Sequence, residues 1–180
     1  MTRTFYPRLL GAQWAQLDPA AQHLLAANAP LLARGQLCVR RGRGWLARAV
    51  ALFARFPEAG HHVPLTLKIT EISGGERWIR SFAGTLMPTA QTITRNGKLS
   101  ERVGWLAFDF RVQLSHGRLN FDFCGAALAL GRWRISLPRW LSPALKGRNS
   151  VRHGRVHIGV AIWAPTGDLL IAYSGEIETT

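Results

Sequence analysis

The stretch LTLKITEISGGERWIRSFAG (residues 65–84) decides how the fold is read. Leu65, Leu67 and Ile69 alternate with Thr66, Lys68 and Thr70, the period of a strand with one apolar face. Ser73, Gly74 and Gly75 then supply a turn. Beyond it the alternation resumes, with Glu76, Trp78, Arg80 and Phe82 on one face and Arg77, Ile79 and Ser81 on the other. The first of these faces carries two large aromatics and two full charges. Buried charge is expensive unless paired, so this face is either a shielded ion-pair network or the lining of a site.

Working outward, the period-two pattern continues. Residues 85–95 read as a more polar strand, closed by the hairpin signal Asn96-Gly97. In VGWLAFDFRVQL (103–114), Leu106, Phe108, Phe110 and Val112 fall in line, while Trp105, Asp109 and Arg111 share the opposite face. LNFDF, RWRISL, VHIGVAIWA and LLIAYSGEI add further strands, the last two joined by the turn Pro165 to Asp168. PRWLSPAL (138–145) reads as a short helical or irregular connection. Towards the N-terminus, residues 9–34 are helix-like, with Asp18-Pro19 as cap and first turn. Residues 35–44 read as a strand. WLARAVALFARFPEAG (45–60) reads as an amphipathic helix with Trp45, Leu52, Phe53 and Phe56 towards the sheet and Arg48 and Arg55 in water; a membrane-surface helix or a lid is the alternative.

This pattern predicts an α+β fold: a curved, mostly antiparallel sheet or partial β-barrel, with N-terminal helices packed against it. One domain over residues 1–180 is expected, with a helical part at about 9–60 and strands at about 63–178. Strands do not alternate with helices, which excludes a doubly wound fold.

The net charge of +13 invites a nucleic-acid reading. Its distribution argues against one. Residues 1–57 carry eight basic and one acidic side chain, and the rest of the excess is spread along the chain. The 20 arginines against 3 lysines, beside abundant alanine and glycine, are the usage of a GC-rich genome. Peripheral contact with an anionic membrane fits the charge better than nucleic-acid readout. No apolar run approaches the ~18–20 residues of a transmembrane helix. The N-terminus has no signal-peptide core, so a cytoplasmic protein is expected. Cys38 and Cys124 are expected to be reduced, buried thiols.

Several fragments stand in a recognisable order: LLGAQWAQL, GQLCVRRGRGWLARAVALFARFPEAG, ERWIRSF, ERVG, HGRLNF, LPRWLSP and GDLLIAYSGEIE. In this order the chain resembles, over roughly residues 8–178, the bacterial family catalogued as domain of unknown function 4166. The resemblance implies that such domains stand alone or behind a saccharopine-dehydrogenase-like domain, and so an oxidoreductase partner. The family pattern has an acidic residue shortly after LPRWLSP. Here ALKGRNSV carries none.

For chemistry, no G-x-S-x-G elbow, P-loop or G-x-G-x-x-G fingerprint is present. His61-His62 and the pair His153 and His157 lack accompanying carboxylates or thiols, so no metal and no cofactor are expected. The candidate ligand-binding residues are Glu76, Trp78, Arg80, Phe82, Glu101, Trp105, Asp109 and Arg111. The reading they favour is non-catalytic capture of a small amphipathic or lipid-like molecule, with aromatics on its apolar part and Arg80 on an acidic group. An accessory module for an oxidoreductase is the alternative. General acid–base catalysis by Glu76 or Asp109 is the third.

Overall fold

The computed structural model describes residues 4–26, 30–54, 56–116, 118–131, 133–152 and 155–179. Helix α1 (Phe5–Leu10), a 3-10 segment (Gly11–Gln16) and α2 (Pro19–Ala26) come first, followed by β1 (Leu31–Arg41) and α3 (Trp45–Phe53). Then come β2 (Gly60–Ile72), β3 (Gly75–Phe82), β4 (Thr85–Ile93), β5 (Leu99–Val103), β6 (Leu106–Ser115), β7 (Arg118–Leu130) and β8 (Trp133–Ser136). A 3-10 turn (Arg139–Leu141) leads into β9 (Ala144–Arg152), β10 (Arg155–Trp163) and β11 (Leu169–Thr179).

Neighbouring strands pair in the order β6-β5-β4-β3-β2-β1-β11-β10-β9-β7, and β6 also pairs with β7. The sheet therefore closes into a ten-stranded antiparallel barrel, further than the expected curved sheet or partial barrel. Closure removes the free strand edges that a ten-stranded open sheet would present. Strand β8 stands outside the ring. The first part of β7 (Arg118–Asp122) pairs with β9, and its last part (Ala127–Leu130) pairs with β8. Tight coiling between β1 and β11 depends on glycine. A Cβ on Gly35 would run into the Glu176 carbonyl, and one on Gly175 into the Gln36 carbonyl.

The period-two pattern fixes the two faces of the wall. Leu37, Val39, Leu65, Leu67, Ile69, Phe108, Phe110, Ile171 and Ile177 point inward and are buried. Arg34, Thr66, Lys68, Arg77 and Arg155 lie on the exposed outer wall. That is the reverse of a lipid-facing barrel, whose outer band is apolar. Among the described residues no helix is long and apolar enough to cross a membrane.

Helices α1 and α2 seal one end. Phe5, Tyr6, Leu10, Leu17, Leu24 and Leu25 are buried in the same core as the strands. The end of β6 is tied to this plug where the Leu114 amide donates to Gln13 Oε1 (2.9 Å). Between α2 and the wall only a void of about 10 Å³ remains, no larger than a single water requires. The expected cap is present: Asp18 Oδ1 accepts from the Ala20 amide at 2.9 Å.

Four expectations need correction. The helix-like segment ends early, because Leu31 and Ala33 pair inward against Ile69 and Leu67 and Leu31–Arg34 become strand. Residues 144–152 form β9 although their pattern is polar; they are held by β10 on one side and β7 on the other. Helix α3 forms, but it lies on the outer wall and buries Ala47 against Ala164 and Leu170, with Leu46, Val50 and Phe56 packed around them and Trp45 81% and Leu52 78% exposed; the side chain of Phe53 lies outside the described residues. A small side chain at Ala47 lets the helix approach the sheet closely, which the large apolar residues at Trp45 and Leu52 would not. Arg48 is exposed as expected, and Arg55 lies outside the described residues. Last, Cys38 is half-buried and Cys124 exposed, so neither is a core thiol.

Candidate functional site

The face that posed the question at the outset points into the barrel. Trp78 and Phe82 are enclosed, at 7% and 1% exposure. Glu76 is fully buried and accepts a hydrogen bond from Trp78 Nε1 (3.0 Å). On one straight strand Glu76 and Arg80 are too far apart to pair easily, about 13 Å along the backbone. Arg80 instead crosses two strands. Its Nη1 donates to Thr89 Oγ1 of β4 (2.9 Å) and to Glu101 Oε1 of β5 (3.1 Å). The guanidinium also stands 5.2 Å from the Trp78 ring centroid, within cation–π range.

Residues that the sequence did not single out complete the cluster. Thr89 and Gln91 are buried on the inward side of β4, and Tyr6 of the plug donates to Gln91 Oε1 (2.9 Å). Tyr173 reaches in from β11, its ring 5.4 Å from that of Phe82. Inward parity with Met87 could have marked Thr89 and Gln91, and parity with Ile171 could have marked Tyr173. Nothing in the local sequence marks Tyr6.

The electrostatics follow from this crowding. Burial pushes the Tyr6 phenol well above its ordinary value, and the Glu76 and Glu101 carboxylates add to the effect, against Arg80 and the Gln91 hydrogen bond. Burial likewise raises Tyr173, which Arg80 partly opposes. For Arg80 burial works to lower the value, but the Glu101 carboxylate leads the groups that outweigh it, and the guanidinium is held more firmly protonated.

The remaining candidates lie elsewhere. Asp109 is on the outer wall, where both of its carboxylate oxygens accept from Arg134 Nη2 at 2.6 Å. Arg134 also donates to Ser100 Oγ (3.0 Å). Arg111 is exposed on the same outer face, opposite Asp122 in register. Trp105 sits in the turn before β6 and is 55% exposed. The repeated motif of acid, arginine and tryptophan on β3 and β6 is therefore two separate arrangements, one inside the wall and one outside. Of the eight candidates, Glu76, Trp78, Arg80, Phe82 and Glu101 come together. Among the described residues no group of His, Cys, Asp and Glu side chains could hold a metal ion.

The lumen above this cluster is uneven. On β1, β2 and β3 the inward residues Val39, Leu65 and Phe82 are almost fully buried. On the other half of the ring, Val103, Leu106, Leu145, Val160 and Ile162 also point inward yet are only half-buried. Arg80 and Glu101 keep 12% and 19% side-chain exposure. The inward side chains are thus less completely buried towards the end away from the helices, and the polar cluster keeps a partial exposure of its own.

Fold and site together define a closed antiparallel barrel, plugged at one end, with a charged cluster in its lumen. A family model described as "Domain of unknown function (DUF4166)" matches residues 17–177, and the chain belongs to that family. No curated protein and no solved structure matches it. Tyr6 lies ahead of the matched residues.

Proposed function

We propose that the barrel binds a small amphipathic molecule with an acidic head group, admitted at the end opposite the helical plug. One observation carries this reading: inward apolar side chains along half the wall are only half-buried, above the lumenal Arg80, which itself keeps 12% side-chain exposure. Binding sites are mostly apolar clefts with a few placed polar groups, which is the composition here. Both hydrogen bonds of Arg80 to Thr89 and Glu101 leave from Nη1. Among the described residues Nη2 and Nε make no hydrogen bond, which suits them to a carboxylate or phosphate. The apolar part of the ligand then rests on Val160, Ile162 and Leu106. Binding is favoured over acid–base chemistry because Asp109 is occupied by Arg134 on the outer wall and Glu76 is enclosed at the plugged end.

Native mass spectrometry of protein purified from its own source tests this reading, alongside Leu145→Trp, which fills the lumen opposite Ile162 and away from the register position of Tyr173. The expected result is an acidic amphiphile retained by the wild type and absent from the folded variant. A bare wild-type mass that also fails to take up added dodecanoate contradicts the proposal.

A further inference from the structure

Large apolar side chains exposed on the surface are concentrated at one end of the barrel. Among the described residues ten are strongly exposed, and nine of them belong to the connections and strand ends opposite the plug; Leu32 is the exception. They include four tryptophans on separate projecting segments: Trp45 on α3, Trp105 between β5 and β6, Trp133 at the start of β8 and Trp140 in the 3-10 turn before β9. Each segment except the Trp105 turn carries its own arginine, namely Arg48, Arg134 and Arg139. The connections at the plugged end read differently, with Ser73-Gly74, Thr94 to Lys98, and His116.

We propose that this end is a docking surface for an anionic lipid bilayer. The tryptophans would sit at headgroup depth, where indole rings with an apolar body and a polar N–H are enriched. Arg48 and Arg139 would reach lipid phosphates, with their stems along the apolar layer, while Arg134 stays paired with Asp109. Charge complementarity selects this occupant. Arg40, Arg43, Arg48 and Arg139 are exposed here, against Glu58 and Asp168, and the charge of Asp109 is already matched by Arg134. The shape favours it too. The apolar groups stand on separate segments at this end, namely a helix, strand ends and two connections, a form suited to a fluid layer rather than to one rigid partner. This docking does not depend on a lumenal ligand, although it would set the lumen mouth against the bilayer.

The test is co-sedimentation with vesicles of phosphatidylcholine alone and of phosphatidylcholine mixed with phosphatidylglycerol. Wild type is expected to bind the mixed vesicles, to release as salt rises, and to ignore phosphatidylcholine alone. Trp105→Ser with Trp140→Ser should keep the circular dichroism of the wild type and partition on the order of tenfold more weakly. Leu52→Asp on α3 should weaken binding independently, and Leu32→Ser at the far end should not. Absence of wild-type binding to the mixed vesicles overturns the proposal, and so does unchanged binding by both the double variant and Leu52→Asp. A wild-type oligomer that the double variant turns into a monomer also overturns it, since the rim would then be a contact between copies.

Discussion

The two ends of this barrel are built on opposite principles. At one end α1 and α2 push Tyr6, Leu24 and Leu25 into the core until almost no void is left, and the connecting turns are polar. At the other the inward side chains are only half-buried, and the connections carry exposed tryptophans and arginines. Closing a ten-stranded ring leaves a space that strand side chains alone do not fill, and the helices fill it from one side only. On the proposed reading, stability resides at the plugged end and recognition at the open one, with the Arg80–Glu101 pair where the two meet.

Arg80 should show the largest effect. Arg80→Met leaves Glu101 without its partner in a mostly buried setting, and a loss of about 3–5 kcal/mol in denaturant unfolding is expected, together with loss of dodecanoate uptake. A variant that unfolds like wild type and still takes up dodecanoate would return Arg80 to the role of a bystander. Next comes a direct contrast between the ends. Leu25→Ala in the plug, at 1% exposure, should cost about 2–5 kcal/mol, whereas Leu130→Ala at the open rim, 52% exposed, should stay within about 0.5 kcal/mol. Equal costs at the two positions would erase the distinction.

A smaller effect is expected from pH. Tyr6 and Tyr173, the chain's two tyrosines, both have folded-state values raised above those of the unfolded chain. Their contribution to stability is therefore complete below about pH 10 and is lost as pH rises through the folded-state values. Phenolate absorbance of the folded protein should lag behind that of the denatured chain. Coincident titration curves would show that neither ring is shielded.

Much of this was legible in the sequence, because alternation is a local property. The hairpin at residues 65–84, the turn at Asn96-Gly97 and the enclosure of Trp78 and Phe82 follow from parity alone. That Arg80 pairs with Glu101, and that Asp109 lies on the other side of the wall, was not legible, since the first depends on a side chain reaching across two strands. Ring closure was hidden because it depends on β7 pairing with both β6 and β9, and β9 has no apolar alternation of its own. Helix α3 was misoriented because its contact centres on Ala47, flanked by Leu46 and Val50, while Trp45 and Leu52 face outward. Tyr6 joined the cluster through a hydrogen bond spanning 85 residues, which no local pattern can report.

The central claim is that the open end, and not the plugged one, receives a ligand. Amide hydrogen exchange with and without dodecanoate, held below its micelle concentration, addresses it most directly. Protection is expected in β5, the start of β6, and β9 and β10 near Leu145, Val160 and Ile162, with α1 and α2 unchanged. Protection confined to α1 and α2, or none anywhere in the barrel, would contradict the account.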